Sequence, residues 1–354
     1  MPEITLNLHM HSQFSDGTGT HQDIADAALT TGLDAVIVTD HNILVIDQEG
    51  YYVKGDQKVL LLIGEEIHDP NRDPKKNHLL VFGVDQELAG EAELPGKLIQ
   101  KVNQAGGLSF LAHPTDPAAP LFNEKDYSWV DWDIPGYTGI ELWNGFSEFK
   151  TRLNSKLEAV FYAYNPKRIA RGPIPETLQI WDRLTGSGNK VVAIGGSDAH
   201  ARNGSLGPFK RVLFPYEFHF QAVNTHLIIP QKLSGNIEKD KRAIYKALAD
   251  GHAFVGYDLP HSTKGFQFKG TGSKQTVIMG DEIKLADGVT LQITLPIKVE
   301  CFLIKDGDKI KSWKNRETCS FSVKEPGVYR VEAYLMYKGS KRGWIYSNPI
   351  YIRE

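Results

Sequence analysis

Ala35-Val36-Ile37-Val38-Thr39-Asp40-His41-Asn42 is a short apolar run that empties into an acid, a histidine and an amide. Branched apolar residues without polar alternation describe a strand covered on both faces, the environment of a parallel strand in an α/β fold. The same pattern recurs on either side. Upstream, Thr5 to Leu8 is a short strand leading into His9-Met10-His11. Thr20 to Thr31 then reads as a helix. Thr20 caps it with Asp23 three residues on, Ile24, Ala27, Ala28 and Leu29 form its apolar face, and Gly32 ends it. Downstream, Val59 to Ile63 enters Gly64-Glu65-Glu66, Leu79 to Val84 follows His78, and Leu108 to Ala112 runs into His113-Pro114. Gly139 to Trp143 carries Glu141, and Val191 to Ile194 feeds Gly195-Gly196-Ser197-Asp198-Ala199-His200. Helical patterns occupy Gly96 to Gln104, Leu153 to Ala163 and Glu176 to Leu184. This alternation predicts an α/β domain on mainly parallel strands, whose sites form at the strands' C-terminal ends.

From about Lys264 the character changes. Val289–Leu295, Cys301–Lys305, Ser320–Val323, Val328–Leu335 and Ile345–Ile352 are short strands with hairpin turn signals at Asp306-Gly307 and Pro326-Gly327. Two domains are expected, residues 1–263 and a small β-sandwich at 264–354. With 354 residues, 41% hydrophobic and 23% charged, the chain can bury a full core. A net charge of −3 gives no overall attraction to nucleic acid or anionic membrane. No apolar run approaches the roughly 20 residues of a membrane span. The Met1-Pro2-Glu3-Ile4 start has no signal-peptide pattern, so a cytoplasmic protein is expected, or an exported one if a leader has been trimmed. Two cysteines, Cys301 and Cys319, fit neither a disulfide scaffold nor a cysteine-rich zinc module, although they could pair across a hairpin in an exported protein.

His9 and His11, two apart on a strand, send both imidazoles from one face, so two nitrogens can reach one metal ion. Asp198 and His200 repeat that spacing after two glycines that leave room for a ligand. Asp16, His41, Glu66, His78 and His113 each lie at or just past a strand edge. Half of the 12 histidines thus gather at one predicted end of one domain, a concentration that random placement does not produce. Imidazole nitrogen mixed with carboxylate oxygen suits Zn, Mn or Fe. Nine such ligands are too many for one ion and enough for three when a carboxylate bridges. Closely spaced ions of this kind can generate hydroxide and clamp a phosphoryl oxygen.

The ordered set His9-Met10-His11-Ser12, Ser15-Asp16-Gly17, Thr39-Asp40-His41-Asn42, Gly64-Glu65-Glu66-Ile67, His78-Leu79-Leu80, His113-Pro114 and Ser197-Asp198-Ala199-His200 resembles the successive motifs of the PHP (polymerase and histidinol phosphatase) superfamily over about residues 4–260. The resemblance implies a distorted (β/α)7 barrel with a two- or three-metal site that hydrolyses phosphoesters. By motif position, His9, His11, Glu66 and Asp198 would serve a first ion. Glu66 would bridge to a second, held with His78 and His113. Asp16, His41 and His200 would hold a third. Some family members have histidine where this chain has Asp16, which would weaken the third site or change its metal preference. The tail, through Pro326-Gly327-Val328-Tyr329-Arg330 and Trp344-Ile345-Tyr346-Ser347-Asn348-Pro349-Ile350-Tyr351, is similar to an immunoglobulin-like domain attached to PHP proteins.

The catalytic set expected is His9, His11, Glu66, Asp198, His200 and Arg202. Arg202, two after His200, is the leading cation for substrate phosphate, with Lys210, Arg211, Arg72, Lys75 and Lys76 as alternatives. Asp40 could orient a neighbouring imidazole, and Glu141 is either a supporting acid or a plain buried one. Trp143 and Phe146 either wall the pocket or belong to the core. His21 and His68 read as surface residues, and His219, His226, His252 and His261 carry no assigned role. The expected substrate is a small phosphomonoester or cyclic phosphodiester. A nucleic-acid polymer and a membrane are disfavoured as partners. The alternatives are a nuclease acting on oligonucleotide ends, a non-catalytic metal-bearing binding protein, and a metal-dependent deaminase or amidohydrolase.

Overall fold

A computed structural model gives the architecture; it describes residues 1–206, 209–212 and 214–354, and of the side chains at 203–211 nothing is described. The chain alternates strands and helices up to residue 257. The first elements are β1 (Glu3–Asn7), α1 (His21–Thr31), β2 (Ala35–Val38), β3 (Gly50–Lys54), β4 (Gln57–Ile67) and β5 (Leu79–Phe82). Then come α2 (Pro95–Gln104), β6 (Leu108–Leu111), β7 (Gly139–Asn144), α3 (Gly145–Lys150), α4 (Lys156–Tyr164), α5 (Pro175–Gly186) and β8 (Val192–Gly196). After β9 (Asn203–Leu206) and β10 (Phe209–Val212) follow α6 (Tyr216–Phe220), β11 (Val223–Ile228), α7 (Ile237–Asp250) and β12 (Ala253–Tyr257). The remaining strands are β13 (Gln267–Thr271), β14 (Thr276–Ile278), β15 (Glu282–Lys284), β16 (Thr290–Lys305), β17 (Asp308–Ser322), β18 (Gly327–Tyr337), β19 (Ser340–Ser347) and β20 (Ile350–Arg353).

Local chemistry explains the best-defined ends. Thr20 and Asp23 exchange hydrogen bonds in a full capping box, and Gly32 closes α1 in the left-handed conformation at φ 74°, an end geometry that glycine adopts without penalty. Asn236 caps α7 with one bond, accepting from the Lys239 N–H, and Gly251 closes it in the left-handed conformation. The sheet is mixed rather than mainly parallel. Strands β1, β2 and β4 run parallel, as do β6, β7 and β8, but β5 joins β4 and β6 antiparallel, and β1 continues antiparallel through β11 to β12. Among the described residues no ladder joins β8 back to β1. Single contacts bridge that gap: Met10 pairs with Ala199, Ser197 donates to Asn7 Oδ1 at 2.8 Å, and Gly195 N donates to Thr225 Oγ1 at 2.9 Å.

Strands β13 to β20 enclose a separate apolar cluster that includes Phe268, Leu291, Leu303, Val331 and Trp344. Cys301 and Cys319 lie buried in it as free thiols. These strands are tied to the rest of the molecule. β19 pairs with β12, Asn348 exchanges hydrogen bonds with both backbone groups of Ala193, and Arg330 grips Asp182 of α5 through two bonds of 2.7 Å. No helix among the described residues is long and apolar enough to cross a membrane.

Candidate metal centre

The residues at the strand ends converge. Glu66, next to last in β4, has both oxygens facing imidazoles, and the two oxygens serve different groups. Oε1 lies 2.8 Å from His78 Nδ1 and 2.9 Å from His113 Nε2. Oε2 lies 3.1 Å from His9 Nε2, 3.2 Å from His11 Nε2 and 3.3 Å from His41 Nδ1. Asp198 Oδ1 stands 3.2 Å from His11 Nε2 and 3.6 Å from His9 Nε2. Asp16 Oδ1 is 3.1 Å from His200 Nε2 and 3.8 Å from His41 Nε2 and His11 Nδ1. Four overlapping groups with metal-ligand spacing result among the described residues: His9, His11, Glu66 and Asp198; Glu66, His78 and His113; His11, Asp16, His41 and His200; and His41, His68 and His78, which brings in a histidine outside the expected nine. All nine residues expected as ligands therefore fall in one cluster.

Supporting bonds fix the ring orientations. His9 Nδ1 meets Glu141 Oε1 at 2.9 Å, which turns Nε2 toward Glu66 and Asp198. Glu141 also accepts from the His113 backbone N–H and from Asn144 Nδ2, each at 2.9 Å. His200 Nδ1 meets the Asp198 carbonyl at 2.9 Å, leaving Nε2 toward Asp16. A partner on one imidazole nitrogen sets the tautomer and frees the other nitrogen as a ligand. The backbone also bends to serve the site: His113 at φ 29° and Asp198 at φ 53° occupy the left-handed region, where non-glycine residues are uncommon and which concentrates at functional sites. Gly196 is required for close approach. A Cβ there would sit 2.4 Å from Glu141 Oε1 and 2.7 Å from His9 Cβ.

The donor set fits metal ions. His11 Nε2 lies 3.2 Å from each of two carboxylate oxygens and His41 Nδ1 3.3 Å from one, without well-formed hydrogen bonds, while the far nitrogens of His78 and His113, Nε2 and Nδ1, are buried without partners among the described residues. Orphaned buried nitrogens are uncommon unless something else occupies their lone pairs. Burial opposes charge on Glu66 and Asp198, but the surrounding imidazoles outweigh it and hold both well below the usual carboxylate range. Burial likewise opposes charge on His11 and His113, and the carboxylates lift both to about 9. So much paired negative charge calls for cations, which protons or metals can supply.

Several side chains differ from expectation. His68 is buried at the site, not on the surface. Its ring stacks on His78 at 4.4 Å and meets His41 edge-on at 4.8 Å. His21 is also buried, against Phe14. Asp40 makes no direct bond to an imidazole among the described residues; it accepts from Ser12 N, Ser12 Oγ and Ser15 Oγ at 2.6–2.7 Å, which pins the loop carrying Asp16, and Ser15 Oγ in turn stands 3.5 Å from His11 Nδ1. Glu65 points away from Glu66, buried beside Glu87, and burial with that like charge raises its carboxyl to about 9. Trp143 is core, its indole N–H donating to Glu148 at 2.8 Å, whereas Phe146 lines the cavity. Arg202 reaches the mouth, 2.9 Å from Asp16 Oδ2, with its guanidinium over the Phe146 ring. Of the alternative cations Lys75 lines the cavity, while Arg72 and Lys76 pair with Asp131 and Asp126. Lys210 and Arg211 lie outside the described side chains.

Residues 7–96 match the family model of the PHP domain. The chain is 21% identical over 154 residues to the uncharacterized protein MJ1587 of Methanocaldococcus jannaschii, spanning 40% of this chain and 83% of that one. A two-domain protein of Bacteroides vulgatus containing a predicted PHP-like metal-dependent phosphoesterase superposes with a TM-score of 0.47 and 16% identity, over 98% of this chain and 95% of its own. A candidate metal-dependent phosphoesterase of Bifidobacterium adolescentis gives 0.35 and 18%, over 57% of this chain and 91% of its own.

Proposed function

The chain carries a PHP domain, and on that premise we propose that it is a metal-dependent hydrolase of small phosphomonoesters or cyclic phosphodiesters. One observation carries the proposal: the two oxygens of Glu66 are divided between separate imidazole groups, the arrangement of a carboxylate that bridges two ions. His9, His11, Glu66 and Asp198 would hold one ion, Glu66, His78 and His113 a second, and Asp16, His41 and His200 a third. Zn, Mn or Fe suit this mixture of nitrogen and oxygen. When bound, such ions polarise a phosphoryl oxygen and make water a nucleophile near neutral pH.

The chain's own side chains do the positioning. Glu141 and the Asp198 carbonyl fix two imidazoles, Asp40 fixes the loop of Asp16, and Arg202 stands where it can neutralise a phosphate oxygen at the mouth. Asp116 and Glu124 also line the cavity. They pair with Lys150 and Arg202, which leaves few free cations among the described lining residues to follow a polyanionic strand and favours this reading over a nuclease. We assign the site to a distorted barrel over residues 1–263 and read 264–354 as an immunoglobulin-like sandwich. A screen of sugar phosphates, nucleotides and aryl phosphates with metal-loaded protein tests the activity. Turnover of a small ester that chelation abolishes is expected. Processive cleavage of oligonucleotides with a steep salt dependence would instead favour the nuclease.

A further inference from the structure

The cavity over the metal centre, about 390 Å³, has one wall whose chemistry the nine ligands do not explain. Asp116, three residues after His113, lines it and is only 3% exposed. Its Oδ2 accepts from Lys150 Nζ at 2.8 Å. Lys150, equally buried at the end of α3, also donates to the Lys125 carbonyl at 3.0 Å and stands 4.7 Å from the Tyr127 ring centroid. The backbone of Asp116 is fixed as well: its N–H donates to Ser128 Oγ at 2.9 Å, and its carbonyl accepts from Tyr127 N at 3.1 Å. Asp116 Oδ1, by contrast, is buried with no partner among the described residues. Tyr127, which turns beside it, lies 5.7 Å from the His78 ring, so this wall borders the Glu66, His78 and His113 group. An ion pair held this rigidly would be expected to satisfy both carboxylate oxygens if its role were structural, since a bare buried acceptor is destabilising. One oxygen is bonded to Lys150, and the other, on a residue that lines the cavity, is left without a partner among the described residues.

We propose that Asp116 recognises the alcohol portion of the substrate. Its free oxygen accepts a hydrogen bond from a hydroxyl or ammonium group on the leaving side of the ester. The substrate class is thereby narrowed to phosphate esters of polyols or amino alcohols. This inference rests on the phosphoesterase reading of the same site.

The test uses full-length, metal-loaded protein and two probe pairs that differ in the donor group: glycerol 1-phosphate against propyl phosphate, and phosphoethanolamine against ethyl phosphate. Affinity is measured by calorimetry, with turnover followed in parallel. The wild type should prefer the donor-bearing member of at least one pair by about tenfold or more. Asp116→Asn keeps an oxygen for Lys150 but turns an amide donor toward the cavity, and should abolish the preference. The double variant Asp116→Ala with Lys150→Met removes both charges together, which buried ion pairs tolerate better than the loss of one partner, and should bring each pair to near parity. Equal affinities in the wild type, or a preference that survives in both variants, would overturn the proposal. A binding preference without turnover would remove the phosphoesterase reading and leave the role of Asp116 standing. Turnover without a preference would do the reverse.

Discussion

Among the described residues, buried imidazole meets carboxylate both at His226 and around Glu66, and only around Glu66 are ring nitrogens left without a hydrogen bond. His226 in β11 is fully enclosed, with Nδ1 2.8 Å from Glu3 and Nε2 2.9 Å from Asp258, while Thr263 Oγ1 also meets Nε2. Every polar atom of the ring is satisfied, and Phe254 stacks on its face. At the strand ends around Glu66, imidazoles face the same two or three carboxylates, yet several nitrogens have no hydrogen bond. The first arrangement is a closed ion network that ties the N-terminal strand to the segment after β12. The second has more converging ligand atoms than protein partners can occupy, which is what separates a site from a buried salt bridge.

The largest effect should break the second set. Glu66→Ala removes the carboxylate shared by two groups, so metal content should fall further than for any other single ligand change, and turnover by about 10³-fold. Asp16→Ala should vacate one position alone; equal metal loss in both variants would contradict the bridging role. Asp258→Ala probes the first set. It leaves a buried imidazole short of a partner and should lower stability by about 3 kcal/mol or more, with metal content unchanged by elemental analysis.

Glu141→Ala should weaken metal affinity or activity by about 10–100-fold, because it releases the His9 ring without removing a ligand. A smaller effect follows from pH. Burial pulls His226 down, but Asp258 and Glu3 outweigh it and raise the ring to about 9 from an ordinary 6.5. Its contribution to stability is therefore complete below about pH 6.5 and disappears as pH rises through 9. Denaturant melts at pH 6 and pH 9.5 should show the stability gap between wild type and His226→Asn shrinking at the higher pH; a constant gap would mean that the ring folds neutral.

Most of the clustered residues were legible because they follow a strand directly, as His9 and His11 follow β1 and Asp198 and His200 follow β8, or flank one, as His78 precedes β5, so that a local pattern of apolar run and polar stop is enough. His68 carried the same signal, two residues after Glu66 and so on the same side of an extended chain, but its lack of a motif led to a surface assignment. His226 and Asp116 could not be read locally. Their partners lie at Glu3, Asp258 and Lys150, far away in sequence, and only the fold brings them together. The mixed sheet was missed for a related reason: β5 is short, apolar and buried on both faces, so nothing in Leu79–Phe82 distinguishes antiparallel from parallel neighbours. The change of character near Lys264 is visible in the sequence, but the attachment of the later strands is not, since it depends on β19 pairing with β12 and on Asn348 bonding to Ala193. Truncation after residue 263 strips those bonds and should yield an unstable fragment, detectable by its melting behaviour.

Elemental analysis of full-length protein never exposed to chelator tests the central claim most directly. Two to three equivalents of Zn, Mn or Fe per chain are predicted, because nine converging ligands leave a buried cluster of charge and unpaired nitrogen unless ions fill it. Less than one equivalent would contradict the account and reduce the cluster to a histidine–carboxylate network of the kind that surrounds His226.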